Sequence, residues 1–74
     1  MEYTDGENIY FVDHNVADDE WNIFYRKVSG RIQRLKYRGP EGIWSERKED
    51  AEKNLVKAAK RHKWIKVVEN DECC

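Results

Sequence analysis

Between Trp21 and Arg38 the chain alternates large apolar and polar residues on both sides of Val28-Ser29-Gly30, a pattern that few folds accept. Along an extended strand Trp21, Ile23 and Tyr25 point one way, and Asn22, Phe24 and Arg26 the other. Val28-Ser29-Gly30 reads as a three-residue hairpin loop, with Gly30 suited to the left-handed position. That loop pairs Lys27 with Arg31, Tyr25 with Gln33, Ile23 with Leu35 and Trp21 with Tyr37. One face then gathers nearly every large apolar residue. The other carries Arg26, Arg34, Lys36 and Arg38, with Phe24 and Ile32 between them. A two-residue turn at Ser29-Gly30 would pair Phe24 with Leu35 and scatter Trp21, Ile23 and Tyr25 among bases, so the first register buries more.

The flanking segments complete a small domain. Residues 1–7 hold few apolar side chains and read as loose. Residues 8–13 contain Ile9, Tyr10, Phe11 and Val12, a first strand, and 14–20 an acidic loop. After the second hairpin strand, Gly39-Pro40-Glu41-Gly42 is a turn, and Ile43-Trp44 offers a short third piece of sheet. Ser45 is a candidate N-cap for a helix over 46–62, with Glu46 and Glu49 suited to its positive end and Glu49 to Lys53 a favourable pair. Ala51, Leu55, Ala58, Ala59 and His62 recur at helical spacing as its buried stripe. Residues 64–68 form a last strand. The expected fold is α+β: a small antiparallel sheet with one helix packed on one face, in the order β-β-β-α-β, with Trp44 and Leu55 in the core. One domain over 1–74 is expected, with 1–7 and 70–74 flexible.

A chain of 74 residues has a small core, and its 39 % charged residues leave little apolar material. Three Trp, four Tyr and two Phe compensate with large area per residue. No signal peptide or membrane-spanning run is evident, which points to a cytoplasmic chain. Cys73 and Cys74 are adjacent and have no third or fourth ligand at zinc spacing, so a reduced tail is expected.

The net charge of −1 hides segregation. Residues 1–20 hold seven acids and no Lys or Arg; residues 21–38 hold six bases and no acid. Residues 51–68 hold six bases against Glu52. Basic elements are thus flanked by acidic ends, giving either a basic binding surface or internal neutralisation.

Chemistry for catalysis is thin. His14 sits among acids, but Asp13-His14 alone is no metal site. Ser29 and Ser45 lack a nucleophile's neighbours, and no glycine-rich phosphate loop occurs. The expectation is a non-enzymatic binding protein without cofactor or metal. Its first expected partner is a larger intracellular protein, modulated or inhibited in the style of phage and mobile-element accessory chains. The acidic residues Asp13, Asp18, Asp19 and Glu20 would make that contact. The alternative is DNA or RNA on the hairpin's basic face, through Phe24, Arg26, Arg34, Lys36 and Arg38. An exposed edge strand also leaves room for a homodimer.

From Trp21 to His62, a small antiparallel sheet with a basic strand face is followed by an amphipathic helix. This layout resembles the DNA-binding arm modules of integrases and the similarly built DNA-binding domain of plant transcription factors. The resemblance implies a sheet inserted into the major groove. The acidic N-terminal region and the final strand depart from it.

Overall fold

A computed structural model of the chain describes residues 1–29 and 34–67. These form β1 (Glu2–Thr4), β2 (Asn8–Asn15), β3 (Glu20–Lys27), β4 (Leu35–Lys36), α1 (Lys48–His62) and β5 (Ile65–Val67). The strands make one antiparallel sheet in the order β4-β3-β2-β1-β5, with α1 against β2 and β3. This is the α+β class expected, with one strand more than the sequence suggested.

The additional strand is β1, in the segment read as loose. It pairs with β2 on one side and β5 on the other. Its turn is built by Asp5, whose Oδ1 accepts the backbone N–H of Glu7 at 2.9 Å and of Asn8 at 2.8 Å. Gly6 supplies the positive φ of 100°. Asp5-Gly6 between Glu2-Tyr3-Thr4 and Ile9-Tyr10-Phe11 is a hairpin signal of the ordinary kind.

β2 runs two residues further than expected, to Asn15, and joins β3 through a four-residue loop at 16–19. Asp19 sits at φ 55°, a conformation that Asp tolerates better than most residues.

The β3–β4 register differs from the expected one by two residues. Tyr25 faces Leu35 rather than Gln33, and Phe24 faces Lys36. Ile23 meets Tyr37, whose N–H donates to its carbonyl at 2.8 Å. An even shift leaves every side chain on its expected face, because alternation fixes parity and not loop length. It does bring Tyr37 rather than Leu35 towards the core, and Leu35 is left exposed. Gly30, Arg31, Ile32 and Gln33 lie outside the described residues, as do Val68 and the Cys73-Cys74 pair.

Ser45 is not the helix cap. Its N–H and carbonyl exchange hydrogen bonds with Trp21 at 3.0 and 2.8 Å, which holds it on the free edge of β3. The helix therefore starts at Lys48, with Arg47 as an extended N-cap that makes no side-chain bond. At its other end Lys63 takes a left-handed conformation, φ 59°. The amide of Trp64 donates back to the Ala59 carbonyl at 2.9 Å.

Ala51, Leu55, Ala58 and Ala59 are buried as their spacing predicts, and the alanines let α1 lie close to the sheet. Tyr10, Ile23 and Leu55 form the core, bordered by Tyr3, Val12, Tyr25, Tyr37 and Trp64. Complete burial of Leu55 stabilises the fold by about 1.5–3 kcal/mol. His62, assigned to the same stripe, is exposed: it stacks on Trp64 with ring centroids 5.0 Å apart. Trp44, expected in the core, is 51 % exposed, because Ser45 rather than Trp44 makes the contact with the sheet.

Candidate functional site

The two sets of charged residues singled out in the sequence meet in the fold. Asp13, on β2, accepts a hydrogen bond from the guanidinium of Arg34, just before β4. The same guanidinium lies 4.4 Å above the ring of Phe24. Phe24 is itself buried, and Phe11 lies beside it at 6.3 Å. The basic hairpin face thus keeps Arg26 half-buried and Lys36 and Arg38 exposed, while Arg34 and Phe24 are engaged with the protein's own side chains. Next to them Asn22 is fully buried, and neither its amide nitrogen nor its oxygen has a partner among the described residues.

Asp18 and Asp19 occupy the tip of the β2–β3 hairpin, and Glu20 opens β3 across from Asn15. The Asn15 side-chain amide donates to Asp18 at 3.2 Å. The His14 Nε2 lies 3.0 Å from Asp19, and its ring packs 4.9 Å from Trp21. Both carboxylates remain exposed while being held in place. Val16, at the same tip, is 78 % exposed.

The Trp21–Ser45 bridge adds what the sequence order conceals. It seats the start of the helical segment beside the start of β3, so Glu46, Glu49 and Asp50 join Asp18, Asp19 and Glu20 at one end of the molecule. Arg47 and Lys48 are the bases interspersed there, with the Lys48 ammonium 5.9 Å from the Trp21 ring. Ile43 and Trp44 directly precede Ser45 and are exposed. This end therefore combines clustered carboxylates with an apolar pair. Only the hairpin acids are recognisable from sequence, because the rest depends on a contact between residues 21 and 45.

At the C-terminal end of α1 a polar network closes the aromatic cluster. The Tyr37 hydroxyl donates to Glu41 at 3.0 Å and lies 3.1 Å from His62 Nε2, and Arg61 donates to Glu41 at 3.1 Å. Burial and then the Glu41 carboxylate push the Tyr37 phenol up to about 12. Glu41 is opposed by its own burial, but backbone and Arg61 hydrogen bonds hold its carboxyl below the ordinary range. Asp5 behaves alike: desolvation works against ionisation, and the Asn8 and Glu7 amides with the Tyr10 hydroxyl outweigh it.

Among the described residues no group of three or more His, Cys, Asp or Glu is placed to hold a metal ion. A shallow hollow between β1 and β5 is lined by Met1, Glu2, Lys66 and Val67. No described helix is long and apolar enough to cross a membrane. No family model matches the chain, and no curated protein or solved structure matches it.

Proposed function

We propose that this chain is a non-enzymatic binding protein that acts in the cytoplasm by docking its acidic end onto a basic surface of a larger protein, modulating or blocking it. The observation that carries this reading is the Trp21–Ser45 bridge, which gathers carboxylates from two separate segments next to exposed Ile43 and Trp44. A local excess of negative charge, here six carboxylates against Arg47 and Lys48, steers encounter with a basic surface. An exposed Trp supplies the kind of aromatic area that dominates interface energetics. The hydrogen bonds from Asn15 and His14 hold Asp18 and Asp19 before any partner arrives, which lowers the ordering cost of binding. The hairpin's basic face is the weaker candidate, since its Arg34 is paired with Asp13 and covers Phe24.

The test compares proteins retained from a cell lysate by the immobilised wild type and by Asp18→Lys, Glu49→Lys and Trp44→Ala. Each substitution is at an exposed position, so each variant should stay folded, with a stability loss of no more than about 1 kcal/mol. A specific protein held by the wild type and weakened about tenfold or more by each variant, roughly 1.4 kcal/mol, supports the reading. An unchanged retained set across all three overturns it.

A further inference from the structure

We infer that the outward ridge of α1 is a binding site for the phosphate backbone of a nucleic-acid duplex. This surface adjoins the acidic end at the first turn of α1, but the lysines that carry it are not among the residues that carry the acidic-end reading, so each proposal has its own test.

Ala51, Leu55, Ala58 and Ala59 face the sheet. With 3.6 residues per turn, Lys53, Lys57 and Lys60 fall on the opposite side of the helix, and all three are exposed. Successive steps of four and three residues space them by about 6 and 4.5 Å along the axis. The helix contains no acid after Glu52. Glu49 does not form the ion pair with Lys53 that their spacing suggested: among the described residues no carboxylate pairs with any of these lysines. Arg61, by contrast, is held by Glu41. The ridge is therefore a row of unneutralised ammonium groups on a convex rod. The acids of α1 lie in its first turns, with Glu49 one turn before Lys53 on the same side, so the local excess of positive charge is greatest at Lys57 and Lys60.

The chemistry of the row selects among polyanions. An anionic lipid surface attracts exposed lysines by only about 1 kcal/mol each, and firm docking adds either a larger basic cluster or an inserted apolar face, which α1 has already buried on the sheet. Protein interfaces are depleted in Lys and enriched in Arg and aromatics, whereas this ridge is made of lysine. Lysine is a point charge on a flexible stem, which suits diffuse contacts to phosphate rather than bidentate reading of bases. Binding should therefore be insensitive to sequence and strongly dependent on salt.

The experiment is fluorescence anisotropy of the full chain with a labelled DNA duplex of mixed sequence, about two helical turns long, from about 50 to 200 mM salt. Saturable binding is expected, with log K falling against log salt at a slope of about −2.7, from about three phosphate contacts. Each of Lys53→Gln, Lys57→Gln and Lys60→Gln should shallow that slope by about one, and the triple variant should remove most of the binding while keeping the wild-type melt. Absence of saturable binding at the lowest salt overturns the proposal, leaving an ordinary solvated face. So does loss of binding in Arg26→Gln with Lys36→Gln and not in the triple variant, which assigns the duplex to the hairpin. Equal affinity for a polyglutamate chain, lost in the same triple variant, also overturns it and assigns the ridge to an acidic protein.

Discussion

The indole of Trp64 lies flat on the ring of Tyr10, with centroids 3.7 Å apart and planes 6° from parallel. The stack joins the residue that follows the helix cap to the middle strand of the sheet. The ring of Tyr37 meets both others edge-on, 6.0 Å from Tyr10 and 5.7 Å from Trp64. Replacing Trp64 with Ala should cost about 2–4 kcal/mol, towards the low end for aromatic truncation because Trp64 is partly exposed. Trp64→Phe should retain more than half of that. Urea unfolding of the two variants is the check; equal losses would mean that shape, and not the stack, holds the helix end.

Leu55 and Trp44 separate a core position from a surface one. Leu55→Ala empties a fully enclosed site and should cost about 2–5 kcal/mol. Trp44→Ala, at an exposed position, should cost less than about 1 kcal/mol in the isolated chain. Thermal unfolding decides the order, and a reversed ranking would show that Trp44 packs inside.

Gly42 is required by packing rather than by its backbone angles. A Cβ there would stand 2.5 Å from the Tyr37 carbonyl oxygen, which belongs to the backbone and cannot rotate away. Gly42→Ala should therefore destabilise by about 1–3 kcal/mol and disturb the Tyr37–Glu41 hydrogen bond. A variant as stable as the wild type would show that the 39–42 loop yields at no cost.

The raised pKa of Tyr37 predicts a loss of stability in alkali. Its folded value of about 12 lies above the ordinary 10.0, so the fold favours the neutral phenol. That contribution is complete below pH 10.0 and disappears as pH rises through about 12. Tyr37→Phe should flatten this part of the stability curve. Chemical unfolding from neutral pH upwards, with tyrosinate absorbance followed in parallel, tests the sign. Parallel curves for wild type and variant would remove Tyr37 as the cause.

Asn22 is enclosed with both ends of its amide unpartnered among the described residues. An unmet buried polar group costs about 1–3 kcal/mol, so Asn22→Leu, similar in shape, should stabilise the chain by about 1 kcal/mol or more. A loss of stability would mean that the amide finds a partner in solution, such as a bound water.

How much of this was readable beforehand depends on the range of the interactions. The Trp21-Ile23-Tyr25 alternation and the Ala51-Leu55-Ala58-Ala59 stripe are local periodicities, and both face the core as expected. The two-residue register error arose because parity is fixed by which face is buried, whereas loop length is not. β1 carries little strand signal of its own, because Tyr3 is the one large apolar side chain among its three residues, although Asp5-Gly6 announces a turn. The features that suit Ser45 to capping do not prevent its backbone from joining a sheet, so its bridge to Trp21 is not legible locally. The acidic set at the candidate site was visible only in its hairpin half. Asp13 is paired with Arg34 on the basic face of the hairpin, a contact that spans the sheet and is not legible from local sequence.

The placement of β1 has a consequence for assembly in time. Glu2 is paired with Phe11 on one side and with Val67 on the other. During synthesis from the N-terminus, the first edge is satisfied as soon as the adjoining hairpin emerges. The second waits for nearly all of the described chain, including a helix that must settle before β5 can reach its place. Closing so wide a loop adds only a logarithmic entropic cost. The delay nevertheless leaves an unpaired strand, and the apolar surface beside it, open to other chains until translation of this segment is almost complete.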